Sequence, residues 1–125
     1  MLNAVIRLTP AAAVAAALMS AGAAHAQATQ TVKIGHAAPL SGPMSHWGKD
    51  NENGIRLAIE ELNAQKLVIG GKTVQFELKS EDDQGDPKQA VVVANQMVDS
   101  GVQAMLGHFN SGAAIPAAPI YNKQS

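Results

Sequence analysis

The stretch Val32-Lys33-Ile34-Gly35-His36-Ala37-Ala38, closed by Pro39 and followed by Ser41-Gly42-Pro43, decides the fold. A short, largely apolar run ended by proline predicts a strand covered on both faces, as in parallel sheets. Turn residues continue to Gly48. Beyond them Ile55, Ala58, Ile59 and Leu62 fall at i, i+3, i+4 and i+7, one face of a helix expected over about residues 48–65. Arg56 and Glu60 stand four apart on the wetter side of that helix, in the less favourable order for an ion pair.

Downstream the pattern repeats. Gly70-Gly71 breaks the chain before Val74, Phe76 and Leu78, which alternate with Gln75, Glu77 and Lys79 as a period-2 strand does. Asp86-Pro87 is a helix start, a capping carboxylate followed by a proline whose missing N–H costs nothing in the first turn. Ala90, Val93, Ala94 and Met97 keep helical spacing up to the stop at Gly101. The run Val91-Val92-Val93 suggests a strand by itself, but the two caps and the length favour a helix over residues 87–100. Residues 102–106 form a third short apolar strand, residues 107–112 a glycine-flanked turn, and a last helix is expected over about 113–123, its first turns disturbed by Pro116 and Pro119. The order βαβαβα predicts an α/β fold: a doubly wound parallel sheet with right-handed crossovers and the flavodoxin-like order 2-1-3. One edge strand would lack a neighbour, as in the front part of a larger domain.

Upstream, residues 1–26 read as an address. Arg7 supplies a positive start, residues 8–24 are almost wholly apolar or small, and Ala24-His25-Ala26 places small residues at the −3 and −1 positions of a cleavage site. A membrane anchor is the other reading, but the apolar run is short and mostly alanine, where about 20 apolar residues are needed to span. The expected layout is a signal peptide over 1–26 and the front of a doubly wound domain over 27–125, periplasmic and not anchored to the membrane. With 9 Lys+Arg against 10 Asp+Glu and no cysteine in 125 residues, the composition argues against a nucleic-acid partner and excludes a disulfide framework, a thiolate metal site and a lipid-linked cysteine.

In open α/β sheets a ligand sits beyond the carboxyl ends of the strands, where strand order reverses. For order 2-1-3 that point lies between the first and third strands, whose exit loops are residues 39–47 and 107–112. Ser111 would direct its hydroxyl, with the free N–H groups of Gly112 and Ala113, into this cleft, where a helix start attracts anions; alternatively Ser111 caps its own helix. Trp47 would form an apolar wall over a ligand, or pack on the first helix. Glu81, Asp82, Asp83 and Asp86 read as a solvated strand end rather than a cation site. His36, His46 and His108 lack the spacing of a metal pair on one element. No nucleophile elbow or phosphate-cradling loop occurs, so no catalytic residue, metal or cofactor is assigned, and an enzyme is not expected.

Taken together, Val32-Lys33-Ile34-Gly35, Pro39-Leu40-Ser41-Gly42-Pro43, Trp47-Gly48, Gly54-Ile55-Arg56-Leu57-Ala58, Glu61-Leu62-Asn63, Asp82-Asp83, Asp86-Pro87-Lys88-Gln89-Ala90 and Gly107-His108 with Ser111 resemble the opening of the periplasmic branched-chain amino acid (Leu/Ile/Val) binding proteins of ABC transporters. The resemblance implies a two-lobed, hinged fold of which this chain matches the first part of the amino-terminal lobe. It implies that Ser111 corresponds to the serine that holds the ligand α-carboxylate, and Trp47 to an aromatic residue that is commonly tyrosine. Some members carry a cysteine pair at positions matching Gly85 and Asn110, both absent here. The ligand-binding candidates are therefore Trp47, Asn110, Ser111 and Gly112, with an amino acid as ligand, an inner-membrane ABC permease as partner, and a monomer as the working form. A secreted α/β hydrolase with its catalytic residues downstream of Ser125, or a receptor ligand-sensing domain, would share the same pattern.

Overall fold

In the computed structural model, which describes residues 28–123, the chain forms β1 (Thr29–Ala38), α1 (Ser45–Ala64), β2 (Val68–Ile69), β3 (Lys72–Asp82), α2 (Pro87–Asp99), β4 (Ala104–Gly107) and α3 (Ser111–Asn122). The segment expected to be a signal peptide lies outside the described residues, apart from which no helix is long and apolar enough to cross a membrane. The sheet order is β2-β3-β1-β4. Strand β1 lies parallel to β3 over ten residues, from Thr29↔Thr73 to Ala38↔Asp82, and parallel to β4 from Ile34↔Ala104 to Ala37↔Gly107. The three parallel strands thus follow the expected 2-1-3 order.

The strand β2 was not expected. Gly70 and Gly71 have φ of 59° and 78°, the pair of positive values that a two-residue hairpin turn requires, and they fold Val68–Ile69 back antiparallel onto Lys72 and Thr73. A two-residue strand shows no alternation, so only its turn could announce it. Strand β1 also starts three residues before the apolar run, because backbone pairing with β3 continues through Thr29, Gln30 and Thr31 whatever their polarity.

Helix α2 matches its caps. Asp86 accepts hydrogen bonds from the Lys88 and Gln89 amides at 2.8 and 2.9 Å. At the other end Gly101, with φ 73°, lets its own N–H reach the Val98 carbonyl and the Val102 N–H reach Met97, a Schellman closure. That closure uses Val102, so β4 begins at Ala104 and not at residue 102. Helix α3 begins at Ser111, two residues early, and runs through Pro116 and Pro119. Its packing explains this: Ala113 and Ala117 are wholly buried against Ala90 and Ala94 of α2, where small side chains let the two helices approach closely. A second cluster, Ala37, Val93 and Met97 with Val102, Met105 and Tyr121, joins these helices to the sheet.

Helix α1 covers the opposite face. It starts at Ser45, earlier than expected, and Gly48 is buried against the Pro39 carbonyl, where a Cβ would have no room. Arg56 pairs with Glu52 rather than Glu60, putting the acid on the N-terminal side, the better order. Ile55, Ile59 and Leu62 do face the sheet, but they line an open groove of about 540 Å³ with Ile34, Phe76, Ala104 and Leu106 and remain only partly covered. The outer edge of β4 has no partner among the described residues. Near its end α1 is tied down by Asn63, whose amide donates to the Phe76 carbonyl at 2.9 Å and accepts from the Phe76 N–H at 2.8 Å, replacing a strand at the outer edge of β3. Asn63→Ala should lower unfolding stability by about 1–2 kcal/mol, the net worth of two such bonds, read by urea denaturation against the unaltered chain.

Candidate functional site

Helix α1 lies on one face of the sheet and α2 and α3 on the other, so the chain leaves β1 and β4 in opposite directions at their carboxyl ends. Ala37 and Gly107 are register partners there, and Gly107, φ 130°, brings its backbone so close to the Ala37 carbonyl that no side chain would fit. This is the reversal point at which open α/β sheets take ligands.

On the β4 side, Asn110 is the cap residue of α3, with extended backbone and no side-chain capping bond. Ser111 is thus the first helical residue and not the cap, which corrects one alternative of the sequence reading. It is exposed, as is Gly112. The amides of Ala113 and Ala114 both donate to the Asn110 carbonyl, at 3.1 and 3.0 Å. The free N–H groups are therefore those of Ser111 and Gly112, not Ala113; among the described residues neither has an acceptor. Asn110 turns away from this opening: its amide points to the Gly85 carbonyl at 3.4 Å, and its Oδ1 is buried without a partner.

On the β1 side, Trp47 belongs to the first turn of α1 rather than to a loop. It is 53 % exposed and meets the His46 ring at a tilt of 41°, with ring centroids 4.4 Å apart. An indole so little covered is not ordinary core packing.

The expected solvated strand end is not what forms at the end of β3. Asp83 is wholly buried; its Oδ2 accepts from His108 Nδ1 at 2.7 Å and its Oδ1 from the Gly85 amide at 2.8 Å. The Tyr121 hydroxyl donates to the other nitrogen of the same ring, His108 Nε2, at 3.0 Å. Asp82 Oδ1 accepts from the Leu40 and Gln84 amides, each at 2.8 Å. Only Glu81, paired with Lys79 at 2.7 Å, and the exposed cap Asp86 behave as solvated acids. His36, buried in β1, donates from Nδ1 to the Leu106 carbonyl at 2.9 Å. The three histidines thus serve three separate purposes, and no cluster of His, Asp or Glu suited to a metal occurs among the described residues. The signal that could have revealed the Asp83–His108 pair is a carboxylate and an imidazole directly after two strands that flank the same central strand.

Two titrations follow from these surroundings. Burial pushes the Asp82 carboxyl up, but hydrogen bonds from the Ser41 hydroxyl and from the Gln84, Leu40 and Ser41 amides outweigh it, and its pKa lies below the ordinary 3.8. Burial, and secondarily the charge on Asp83, push the Tyr121 phenol up to about 12.

The geometry has the company one would expect of it. The sequence profile of the periplasmic binding protein family matches residues 31–125, and the chain belongs to that family. It is 41 % identical over 93 residues to the leucine-specific-binding protein of Salmonella typhimurium, covering 74 % of this chain and 24 % of that protein. It is 40 % identical over 110 residues to the leucine-, isoleucine-, valine-, threonine- and alanine-binding protein of Pseudomonas aeruginosa, covering 87 % of this chain and 29 % of that one. In three dimensions it is similar to the branched-chain amino acid transporter substrate-binding protein LivJ of Streptococcus pneumoniae, crystallised with isoleucine, with TM-score 0.66 and 32 % identity, covering 75 % of this chain and 26 % of that one. The chain therefore spans about a quarter of the length of these relatives, all of which are named as binding proteins and none as an enzyme.

Tyr121 is the only tyrosine, so phenolate absorbance reads it directly. In the folded chain its midpoint should lie near 12, and in denaturant near 10; the stability it contributes is complete below pH about 10 and disappears between there and about 12, because the unfolded chain ionises first. Asp82 acts at the other extreme: its contribution is present above pH about 4 and is lost as pH falls below its depressed value, so Asp82→Asn should flatten the acid limb of the stability profile.

Proposed function

We propose that this chain is the ligand-facing part of the amino-terminal lobe of a solute-binding component of an ABC importer, taking branched-chain or related amino acids in the periplasm for delivery to a membrane permease. The observation that carries the reading is the opening of α3: two exposed amides without acceptors, Ser111 and Gly112, at the reversal point of the sheet. An α-carboxylate suits that spot, since it accepts from both N–H groups and from the Ser111 hydroxyl, and the helix dipole adds to each charge-assisted bond. The exposed indole of Trp47 across the reversal point offers the apolar surface for an aliphatic side chain. Asn110 contributes through its backbone, which sets the entry of α3, while its side chain stays with Gly85. The binding proteins named above support the ligand class, and the sequence of residues 1–26 supports export through a cleaved signal. The work is capture and release, with closure by a second lobe excluding water from the carboxylate bonds.

With one wall of the cleft, affinity should be weak, since the ammonium and most of the side chain stay in water. Titrating leucine into the isotope-labelled chain should move the Ser111 and Gly112 amide resonances and the Trp47 indole with a Kd on the order of 1 mM. The amine lacking the carboxylate should move none of them, and Ser111→Ala should weaken the response. Micromolar binding by this chain would show the one-wall affinity argument wrong, and leucine-induced shifts confined to residues far from α3 would overturn the reading.

A further inference from the structure

Strand β3 is not one of the two strands at the reversal point, yet its last residues hold both segments that leave it. Successive residues of a strand point to opposite faces of the sheet. Asp82 follows Val74, Phe76, Leu78 and Ser80 on the α1 face, and from there it reaches the Leu40 amide and Ser41, the beginning of the segment that ends at Trp47. Asp83, one residue on, continues the ladder through its N–H to the Ala38 carbonyl at 3.1 Å and points to the other face. There it meets His108, three residues before Ser111, and through that ring Tyr121 near the far end of α3. We propose that Asp82 and Asp83 are positioning residues for the amino acid site, one bracing the Trp47 segment and the other the Ser111 helix start, so that a single turn of the chain sets how the two ligand-facing walls stand to each other. This rests on the functional reading given above.

Energetics favour a positioning role over simple stabilisation for the buried arm. Asp83 has no exposure and the His108 side chain 1 %, so removing both from water offsets most of what their attraction contributes. What such a pair does supply is direction. The Asp83 carboxylate accepts at both oxygens and His108 is engaged at both nitrogens, so the ring has one orientation, and the backbone that bears it is held a few atoms from Ser111. Outer-shell partners of this kind govern the groups that touch a ligand without touching it themselves.

The test compares Asp82→Asn, Asp83→Asn, Tyr121→Phe and Asp86→Asn in the isotope-labelled chain. Asp86→Asn removes the same charge from the same turn, keeps a competent helix cap and touches neither segment, so it reports what charge loss and general destabilisation do. Without ligand, Asp82→Asn should move the amides of residues 39–47 and the emission of Trp47, the only tryptophan, and leave residues 107–112 in place. Asp83→Asn should do the reverse, and Tyr121→Phe, which frees the other side of the same ring, should act in the same residues more weakly and stands in where Asp83→Asn does not fold. With leucine, Asp83→Asn should weaken the Ser111 and Gly112 response about tenfold, the loss of one well-aligned charged hydrogen bond. Changes spread evenly over the sheet, or no larger than those of Asp86→Asn, overturn the proposal, as does unaltered leucine binding by Asp83→Asn. If the unaltered chain gives no response to leucine, the binding reading falls, and the ligand-free shifts still decide whether the aspartates brace the two segments.

Discussion

Strand β1 is hydrogen-bonded along both edges, to β3 over ten residues and to β4 over four, and every other placement in the chain follows from that. A central parallel strand cannot be reached from its neighbours by a tight turn; each connection must cross a face of the sheet and carry enough chain to do so. The crossover through α1 takes one face and that through α2 the other, which leaves the exits of β1 and β4 diverging at the carboxyl end. The diverging exits at the reversal point are thus a by-product of topology before any side chain is considered. It is sharpened by two positions where nothing larger than hydrogen fits, Gly48 against Pro39 and Gly107 against Ala37.

The two faces are unequal. On one, α2 and α3 meet through four alanines and close over Ala37, Val93 and Met97, a small but fully covered core. On the other, α1 stands over Ile34, Phe76 and Leu106 with an open groove, and is held at its end by a pair of polar bonds from Asn63 rather than by packing. Among the largest wholly buried side chains are His36 and Asp83, so polar bonds replace apolar contact near the carboxyl end of the sheet. That is where a binding protein has most need of direction and least need of adhesive surface.

Much of the fold was legible because the signals were local. Asp86 with Pro87, the Gly101 stop and the spacing of Ala90, Val93, Ala94 and Met97 each depend on atoms within one turn of helix. Ser111 could be singled out from the strand–turn–helix order alone. The alternation of residues 74–78 announced β3 but not its full length, since the added residues pair by backbone and carry no apolar pattern. The expectation of a solvated acidic strand end fails at Asp83, because nothing in residues 81–86 says that His108 will arrive beside it from another strand.

By itself the sequence determined the succession of the three parallel strands and three helices, the caps of α2, and the family to which the chain belongs, since all of these are written in neighbouring residues or in short motifs. Only the tertiary structure decided that Asp82 and Asp83 reach opposite faces to two different segments, that Asn110 turns to Gly85, that Ser111 and Gly112 rather than Ala113 keep free amides, and that Trp47 stands in a helix and largely in water. These depend on contacts between residues 25 to 42 positions apart or on the exact start of a helix, and a one-residue shift along a strand or around a helix sends a side chain to another face.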